Sequence, residues 1–525
     1  MEFIVPGSEA ELKRFEELQL KLPDLYRRVA EDKRTPHTVV VIPSLSLDPE
    51  ELAKVKGAHH YEERLLYNLM LLRRPATKLV FVSSQPIAPA IVDYYLHLLT
   101  GVPGDHARRR LTLLSAYDAA PDKSLSQKIL DRPRLQKRII DAIGDRSRAH
   151  MVCFNSTAAE RSVAVRLGIP LYANDPALDD LGTKSGCREV FRDAGILFPD
   201  GFERLREEHE VVEALRTLKE RDPNLRRAVV KLNEGFSGEG NALFYFDGSP
   251  EGGSKEEMAS WIQERLPQLR FTAKTENWDS FRRKFKANGG VVECFVEGDN
   301  KESPSAQCRV NAIGTPMSIS THDQVLGGPG GQVFLGCTFP AKEEYRSEIE
   351  EAGLKVAKVL ASKGVMGRFA TDFVSVRQDD GWDHYAIEVN VRKGGTTHPF
   401  LTLKFLTDGT YDATSGTFYT PAGIPKYYFA SDTLQSEAYK GLTPHDLIDI
   451  AVYHGLHFHA AAERGVVFHL MGALSEFGKL GVVCIGDNLQ QAQFLYRKTV
   501  SVLNQETSKD PDDWHMGRPT NEPLP

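Results

Sequence analysis

Three polar side chains of different chemistry alternate in the segment AIEVNVRKGG: Glu388, Asn390 and Arg392. Alternate side chains of an extended strand project from one face, so we expect these groups to lie together while the apolar residues between them face a core. Carboxylate and amide oxygens suit Mg²⁺, and a guanidinium beside them suits a phosphate. The pattern predicts a site for a metal-bound phosphate. A surface hairpin with ordinary polar residues on its solvent side gives the same alternation.

A further carboxylate, Asp372, lies in the apolar segment GRFATDFVSV. A second strand can deliver it to the same place as Glu388 and Asn390. The three residues then form an all-oxygen ligand set, which a hard octahedral cation such as Mg²⁺ prefers.

A lysine and a glycine-rich loop follow each other in AVVKLNEGFSGEGNALFYF, where Lys231 ends an apolar run. Glycines let backbone N–H groups approach phosphate oxygens closely, and lysine adds charge without demanding a fixed geometry. The spacing is not that of a P-loop, and a strand-like run follows instead of a helix. We therefore predict a glycine-rich hairpin that folds over a nucleotide. Its loop consists of Gly235, Phe236, Ser237, Gly238, Glu239 and Gly240.

Two more segments carry candidate nucleotide contacts. Lys184 precedes an amphipathic helix that stops at Gly195, which makes this lysine a candidate for a second phosphate contact. In the apolar strand VVECFVEG, Glu293 can accept from the exocyclic amine of adenine while the main chain of Cys294 and Val296 meets the ring edge. The alternative for this segment is an edge strand with one exposed acid.

The elements that must position these residues indicate an α/β protein. Residues 1–181 alternate short β-branched runs (TVVVI, KLVFV, MVCFN, IPLYA) with helical stretches, which predicts an open, mostly parallel sheet. We divide the rest into a phosphate-binding region at 182–290, a hinge and metal region at 291–400, an α/β region at 401–505 and a disordered tail at 506–525.

Composition limits the classes of protein that remain. A chain of 525 residues should hold more than one core. Its formal charge of −7 argues against a generalised nucleic-acid binder. The six cysteines contain no C-x-x-C pair, so we expect free thiols in a reducing cytosol. The N-terminus lacks a secretory apolar core and no run reaches the ~18 apolar residues of a membrane span. We expect a cytoplasmic protein.

Three further groups of residues admit two interpretations each. The loop from Ser83 to Pro86 can be a ligand-binding sheet edge or a plain turn. His322, Asp323 and Gln324 can serve a cleft or order the following glycine-rich turn. For the remaining group we favour packed or surface histidines over a metal site, because their offsets do not share one helical face. These histidines are His454, His457, His459 and His469.

The order of these motifs resembles the ATP-grasp superfamily: a lysine before a helix, a strand lysine with a glycine loop, a glutamate-bearing hinge, and acidic strands ending in E-x-N-x-R. The resemblance implies that Lys184 and Lys231 bind nucleotide phosphates and that residues 235–240 form the mobile loop. It makes Glu293, Cys294 and Val296 the adenine hinge. The Mg²⁺ ligands become Asp372, Glu388 and Asn390, and the residues for the acyl phosphate or substrate carboxylate become Arg392 with Arg368 and Arg309 as weaker candidates.

The ribose-binding carboxylate that many relatives carry after the hinge is left open among Glu297, Asp299 and Glu302. Segments outside the nucleotide motifs, among them HYEERLLYNLMLLRRPATKLVFVSSQPI, STHDQVLGGPGGQVFLGCTFPA and GVVFHLMGALSEFGKLGVVCIGDN, resemble the ATP-grasp peptide ligases of the pheganomycin biosynthetic type. This likeness runs from about His37 to about Tyr496.

The resemblance implies an ATP- and Mg²⁺-dependent ligase. Such an enzyme activates a carboxylate as an acyl phosphate, captures it with the amine of an amino acid or peptide, and releases ADP and phosphate. The expected partners are therefore a small-molecule carboxylate and an amine, with no nucleic acid and no membrane, and a homodimer is a further expectation. A small-molecule kinase of ATP-grasp architecture and an ATP-binding regulatory protein without turnover are the alternatives.

Overall fold

The computed structural model describes residues 4–235, 240–250, 252–273, 276–327 and 333–508. The chain forms two compact units, which are treated separately below. One unit consists of Met1–Ala173, Gly336–Pro340 and Gly395–Pro525, and the other of Asn174–Leu335 and Ala341–Gly394. The finer division into five regions stays a prediction.

The first unit begins with a parallel sheet of order β3-β2-β1-β4, as the β-branched runs predict. Apolar residues of the strands and of flanking helices form one core, with Val40, Val80 and Met151 at its centre. The elements are α1 Glu9–Gln19, α2 Leu22–Glu31, β1 His37–Ile42, α3 Pro49–Lys54, a 3-10 helix Ala58–Arg73, β2 Thr77–Ser83, α4 Pro89–His97, α5 Gly104–Arg108, β3 Leu111–Ser115, α6 Leu125–Leu130, α7 Pro133–Ile143, a short 3-10 helix Arg146–Arg148, β4 Ala149–Cys153 and α8 Ala158–Leu167.

The fourth predicted strand, IPLYA, does not form a strand of the sheet. Leu171 makes a single parallel bridge to Met151, flanked by hydrogen bonds from the Met151 amide to the Pro170 carbonyl and from the Tyr172 amide to the Met151 carbonyl. Proline has no N–H with which to extend a ladder, so the run stops at one bridge. The remaining strand of this sheet is β3, whose run LTLLS the sequence reading did not single out.

The second unit begins with an antiparallel sheet of order β5-β9-β6-β7-β8, packed against α10, α11 and α12. Its elements are a 3-10 helix Pro176–Gly182, α9 Lys184–Ala194, β5 Gly201–Leu205, α10 Glu208–Arg221, β6 Arg227–Leu232, β7 Asn241–Tyr245, α11 Lys255–Arg265, a 3-10 helix Leu266–Gln268, β8 Arg270–Phe271, α12 Trp278–Asn288 and β9 Gly290–Cys294.

The remainder of this unit is a second antiparallel sheet in which β14 pairs with β10, β11 and β15, and β11 also pairs with β12. Helices α9 and α13 cover one face of it through a core that contains Phe191, Val356 and Phe369. The elements are β10 Lys301–Glu302, β11 Pro304–Val310, β12 Pro316–Gly327, β13 Val333–Phe339, which continues into the other unit, α13 Arg346–Ser362, β14 Gly367–Arg377 and β15 Trp382–Asn390.

The C-terminal part of the first unit is mixed α/β, as predicted. Strand β18 pairs with the end of β13, with β17 and with β20, and β20 also pairs with β19. Residues 509–525 of the predicted disordered tail lie outside the described residues. The elements are α14 Thr397–Thr407, β16 Thr410–Asp412, β17 Thr417–Tyr419, β18 Pro425–Gln435, a 3-10 helix Glu437–Tyr439, α15 Pro444–Tyr453, β19 Gly465–His469, a 3-10 helix Met471–Ala473, α16 Leu474–Phe477, β20 Lys479–Gly486 and α17 Leu489–Glu506.

All six cysteines are free thiols, and five of them are buried, in agreement with the prediction from their spacing. Among the described residues, no helix combines the length and the apolar character that crossing a bilayer requires.

Candidate active site

The acidic residues of the two predicted metal strands lie side by side. In the antiparallel ladder of β14 and β15, Asp372 is directly opposite Glu388, and Ala370 is opposite Asn390. Val389, between the two polar residues, is fully buried in the core beneath. The predicted alternation of Glu388 and Asn390 is therefore confirmed, and so is the delivery of Asp372 by a neighbouring strand.

Arg392 departs from the predicted strand. Strand β15 ends at Asn390, and the Arg392 amide donates to the Asn390 carbonyl at 2.7 Å, a tight turn that takes the arginine out of the ladder. Its Nη1 donates to the Lys393 carbonyl at 3.1 Å. Burial has the largest effect on the pKa values of Asp372 and Glu388 and acts to raise them, whereas the charge of the Arg392 guanidinium acts to lower them.

The pKa values of the two carboxylates on this face, Asp372 and Glu388, are shifted in opposite directions. Burial, followed by the charge of Glu388, raises the pKa of Asp372 to about 6. Burial also acts to raise the pKa of Glu388, but the charge and hydrogen bond of Lys184, together with the charges of Arg392 and Lys231, outweigh it, so that pKa is lowered. The Lys184 ammonium lies 2.5 Å from Glu388 Oε1. Like charges directly opposite each other repel, so this face favours a cation between its two acids.

Asp372 accepts two hydrogen bonds from amide side chains. Asn390 Nδ2 donates to Asp372 Oδ2 at 2.9 Å, and Gln324 Nε2 donates to Oδ1 at the same distance. Sequence reasoning placed Gln324 beside a cleft or in the ordering of a turn, but did not assign it to the acidic face. Strand β12, which carries it, is joined to β14 through β11.

Lys184 stands at the start of helix α9, as predicted. The Thr183 hydroxyl caps this helix by accepting from the Gly186 amide at 3.0 Å. The Lys184 amide donates to the carbonyl of Asn233, two residues after Lys231, and Ser185 Oγ donates to the Asn233 side chain. A Cβ on Gly186 would lie 2.0 Å from the Asp180 carbonyl oxygen, so only glycine fits this start. The helix N-terminus, which favours anions, is thus held against the loop that follows Lys231.

Lys231 and Glu293 form a buried ion pair, a contact that was not predicted from the sequence. The Lys231 ammonium lies 2.5 Å from Glu293 Oε2, and Arg188 Nη1 donates to Oε1 at 2.8 Å. Glu293 is 3% exposed. Burial alone raises the pKa of Glu293, but the charges of Lys231 and Arg188 outweigh it and lower that pKa. Both oxygens of this carboxylate are thus engaged by cations, and its predicted contact with an adenine amine stays a prediction.

Arg188 is a member of this site that the sequence reading missed. It follows Lys184 by one helical turn on α9, and it also donates to the Pro199 carbonyl and to Glu203. Residues four apart share one face of a helix. The spacing in KSGCR therefore carried a signal that could have placed Arg188 beside Lys184.

The predicted glycine-rich hairpin is present. Strands β6 and β7 are antiparallel, with Lys231 opposite Asn241. At the base of the connection the Leu232 amide donates to the Gly240 carbonyl at 2.9 Å, and a Cβ on Gly235 would lie 3.1 Å from the Gly240 nitrogen. Phe236, Ser237, Gly238 and Glu239 lie outside the described residues.

Of the main-chain groups predicted to contact adenine, two are already hydrogen-bonded within the protein. The Cys294 amide donates to the Asp200 carbonyl at 2.8 Å, and the Val296 carbonyl accepts from Lys301 Nζ at 2.6 Å. The Val296 amide donates no hydrogen bond within the described ranges of the chain.

The three candidates for a ribose contact, Glu297, Asp299 and Glu302, differ in their ion-pair partners. Glu297 makes two 2.9 Å hydrogen bonds with Arg227, and Glu302 pairs with Lys342. In the part of the chain that the structure describes, Asp299 has no ion pair.

Arg309 and Arg368 lie directly opposite each other on β11 and β14. Arg368 and Asp372 are four residues apart on the same strand, so their side chains project from the same face. Arg309 Nη2 contacts Met317 Sδ at 3.2 Å, and across the described residues no carboxylate lies within ion-pair distance of Arg309. Two facing guanidiniums on the face that carries the acids make an anion-binding position.

Two segments that the sequence left ambiguous, His322–Gln324 and the Ser83–Pro86 loop, are held by internal hydrogen bonds. Asp323 accepts from the Tyr345 hydroxyl at 2.6 Å and from the Lys342 amide at 3.0 Å, and His322 is fully buried. Residues 328–332, which contain most of the glycine-rich turn, lie outside the described residues.

The Ser84 amide and hydroxyl both donate to the buried Glu62 at 2.6 Å, which orders the Ser83–Pro86 loop. A ligand at that loop stays a prediction.

The chain is similar to known proteins over most of its length. Residues 176–248 and 253–414 match the family described as IQCH-like, ATP-grasp, and residues 446–499 match the PGM1 C-terminal domain. The chain is 31% identical over 473 residues to the L-propargylglycine–L-glutamate ligase of Streptantibioticus cattleyicolor, which covers 89% of this chain and 94% of that protein.

Two matches are more distant, one in sequence and one in fold. The IQ motif-containing protein H of Danio rerio is 22% identical over 95% of this chain, which spans 51% of that protein. The crystal structure of the biotin carboxylase of Campylobacter jejuni in its complex with β,γ-ATP aligns with a TM-score of 0.51 and 14% identity, over 91% of this chain and 96% of the other. The chain belongs to the ATP-grasp superfamily, in the group of peptide ligases that contains the L-propargylglycine–L-glutamate ligase.

Proposed function

We propose that this ATP-grasp ligase joins a carboxylate to the amine of an amino acid or peptide through an acyl phosphate, releasing ADP and phosphate. The observation that carries the proposal is the composition of one sheet face. Asp372, Glu388 and Asn390 stand on it with the Lys184 ammonium at Glu388, and the Arg309–Arg368 pair lies further along the same face. A metal-nucleotide and an anionic substrate can therefore meet on one rigid sheet.

The phosphates of ATP are assigned to the two lysines. Lys184 and Lys231 each pair with a carboxylate, and each ammonium has three N–H donors, so it can keep this partner and donate to phosphate oxygens as well. The start of helix α9 adds backbone N–H groups and the positive end of the helix dipole. Gly235 and Gly240 lie at the base of the hairpin that would close over the β- and γ-phosphates.

Mg²⁺ is assigned to Asp372, Glu388 and Asn390. The donor set fits this ion because all three residues offer oxygen and because the two facing acids repel each other until a cation lies between them. Burial, and after it that repulsion, raises the pKa of Asp372 to about 6. The bound ion would neutralise phosphate charge and polarise the transferring phosphoryl group.

Glu293 is assigned a role at Lys231. Together with Arg188 it fixes the ammonium of Lys231 in a buried position. The adenine ring is assigned to the main chain after β9, where the Val296 amide is the available donor and the Cys294 amide is already committed to Asp200.

The first chemical step places the substrate carboxylate against the arginines. One of its oxygens bonds to the γ-phosphorus while the bond from that phosphorus to the β,γ-bridging oxygen breaks, which gives an acyl phosphate and ADP. Arg309 and Arg368 hold the carboxylate, and Arg392 stabilises charge at the reacting centre. Positioning and electrostatic stabilisation supply the catalysis.

The second step forms the amide. The nitrogen of the amine attacks the acyl carbon, phosphate departs with the electron pair of the C–O bond, and the surplus proton of the nitrogen is lost to solvent. Closure of the hairpin keeps water from the acyl phosphate in the meantime.

The substrates are assigned by class. The relative with 31% identity is named as a ligase of L-propargylglycine and L-glutamate, so we assign an amino-acid carboxylate and an amino-acid or peptide amine. We place the enzyme in the cytoplasm, where ATP is abundant, and we retain the homodimer as a proposal.

The proposal is tested by incubating the protein with Mg-ATP and pairs of amino acids or short peptides. We expect ADP release that requires both members of a pair, and a new amide of the combined mass less water by mass spectrometry. ADP release with a single substrate and no amide under any pairing would contradict it.

Lys231→Ala should weaken ATP binding about ten- to hundredfold, because a charge-assisted hydrogen bond to a phosphate is worth about 1.5–3 kcal/mol. Glu293 keeps Arg188 as a partner, so the fold should survive. Calorimetric titration with a non-hydrolysable ATP analogue measures the effect. Lys255→Ala, which removes an exposed lysine of the same region, is the matched control. Equal affinity in the two variants would remove Lys231 from the nucleotide site.

Arg309→Met should raise the KM for the carboxylate substrate about tenfold or more while ATP affinity stays within about twofold, since the lost contact is to the substrate and charged hydrogen bonds are worth about 1.5–3 kcal/mol. Methionine keeps most of the packing of this half-buried side chain. Steady-state kinetics with each substrate varied in turn give both constants. Arg377→Met, on β14 but paired with Glu344, is the control. A rise in the KM for ATP alone would contradict the assignment.

A further inference from the structure

A second cluster of ligating side chains lies in the other unit, formed by His398, Asp432 and His469. The Nε2 atoms of the two histidines are 2.9 Å apart. Asp432 Oδ1 lies 2.8 Å from His469 Nε2 and 3.5 Å from His398 Nε2. Two imidazole nitrogens and one carboxylate oxygen thus converge on one point, and all three residues are buried.

The three residues come from separate elements. His398 lies in the first turn of α14, Asp432 in β18, and His469 at the end of β19, 71 residues beyond His398. The imidazole of His469 packs on Gly481, where a Cβ would come within 2.1 Å of Nε2. The substitution of any side chain at Gly481 would push the histidine out, so the backbone is shaped around this ring.

Asp432 is oriented by an arginine on its far side. Arg64 Nη1 donates to Oδ2 at 3.1 Å, and the guanidinium stacks over the rings of Tyr61 and Phe154. This contact occupies one carboxylate oxygen and leaves the lone pairs of Oδ1 directed at the histidines. Such support of a ligating carboxylate by an outer hydrogen bond is common in metal sites.

A hydrogen-bonded network without a metal satisfies these atoms poorly. Each Nε2 carries at most one proton. If one Nε2–H donates to one of the other two atoms of the triangle, the third atom faces a lone pair and no proton. One cation at the centre uses the lone pairs of all three ligand atoms at once.

We propose that His398, Asp432 and His469 bind a divalent transition-metal ion, zinc or iron(II), that ties α14, β18 and β19 together. Imidazole with carboxylate is a donor set for these ions, whereas the all-oxygen set at Asp372 suits Mg²⁺. The proposal does not rest on the proposed ligase chemistry. The sequence reading had grouped His469 with His454, His457 and His459. The structure pairs His454 with Glu506 instead.

The test begins with protein purified without a histidine tag, whose metal content is measured by inductively coupled plasma mass spectrometry. We expect about one zinc or iron per chain in the wild type, and the measurement tells the two apart. His469→Ala should lose that ion, and His454→Ala, the matched control from the same region, should retain it. Equal metal in the two variants would mean binding elsewhere and would overturn the proposal.

A second measurement does not depend on a variant that folds. The wild-type protein is stripped with a chelator and titrated with Co²⁺, which should give visible ligand-field bands that saturate at about one equivalent. The melting temperature should fall by several degrees on stripping and recover on refilling with zinc or iron(II). Asp432→Asn should weaken the bands. Wild-type protein that is metal-free as purified, gives no Co²⁺ bands and melts unchanged with chelator would establish the neutral hydrogen-bond network.

Discussion

Glu388→Ala should reduce ligase turnover about a thousandfold or more. The variant removes one proposed Mg²⁺ ligand from the face it shares with Asp372, and loss of about 4 kcal/mol of transition-state stabilisation corresponds to that factor. It also removes the partner of Lys184, so the phosphate contacts lose their alignment as well. The measurement is the rate of ADP release with the substrate pair found by screening, at saturating Mg-ATP.

Two controls separate this effect from loss of the fold. Asp383→Ala removes an acid from the same strand, where it accepts from Gln378, and should keep near-wild-type turnover. Glu388→Gln preserves the shape of the side chain and removes its charge, and it should be nearly as inactive as the alanine variant. If Glu388→Ala folds and turns over like Asp383→Ala, the acidic face is not the metal site.

Hydroxylamine should intercept the proposed acyl phosphate. With the carboxylate substrate and Mg-ATP present and the natural amine omitted, we expect a hydroxamate to form together with an equal amount of ADP. Hydroxylamine is a small nucleophile that needs no specific pocket, so it reports on the activated carbonyl alone. Colorimetric detection of the hydroxamate and mass spectrometry of the product measure the yield.

Arg392→Ala should lower that yield about a hundredfold while changing ATP affinity little, because the proposed contact is with charge at the reacting centre and not with the nucleotide. A stable phosphorylated product that forms without an amine and resists hydroxylamine would favour the kinase. An amide formed with AMP and pyrophosphate would contradict the acyl-phosphate route.

Local periodicity along the chain was enough to predict several features of the site. The alternation EVN placed Glu388 and Asn390 on one face with Val389 beneath them, since successive side chains of a strand point to opposite sides. The glycine-rich hairpin after Lys231, the helix that begins at Lys184 and most of the parallel sheet follow from runs of a few residues in the same way. Each of these depends on neighbours along the chain.

Contacts between charged groups on different elements could not be predicted in this way, because they depend on how the elements pack. Glu293 looked free in the sequence, yet the register of β9 against β6 and the packing of α9 direct both of its oxygens at Lys231 and Arg188. The contact of Gln324 with Asp372 likewise depends on the order of three strands. In the other unit, His398, Asp432 and His469 come from elements that carry no common spacing. A local pattern fixes the direction of a side chain relative to its own backbone, but the partner it meets is set by the long-range pairing of strands and the burial that this pairing makes favourable.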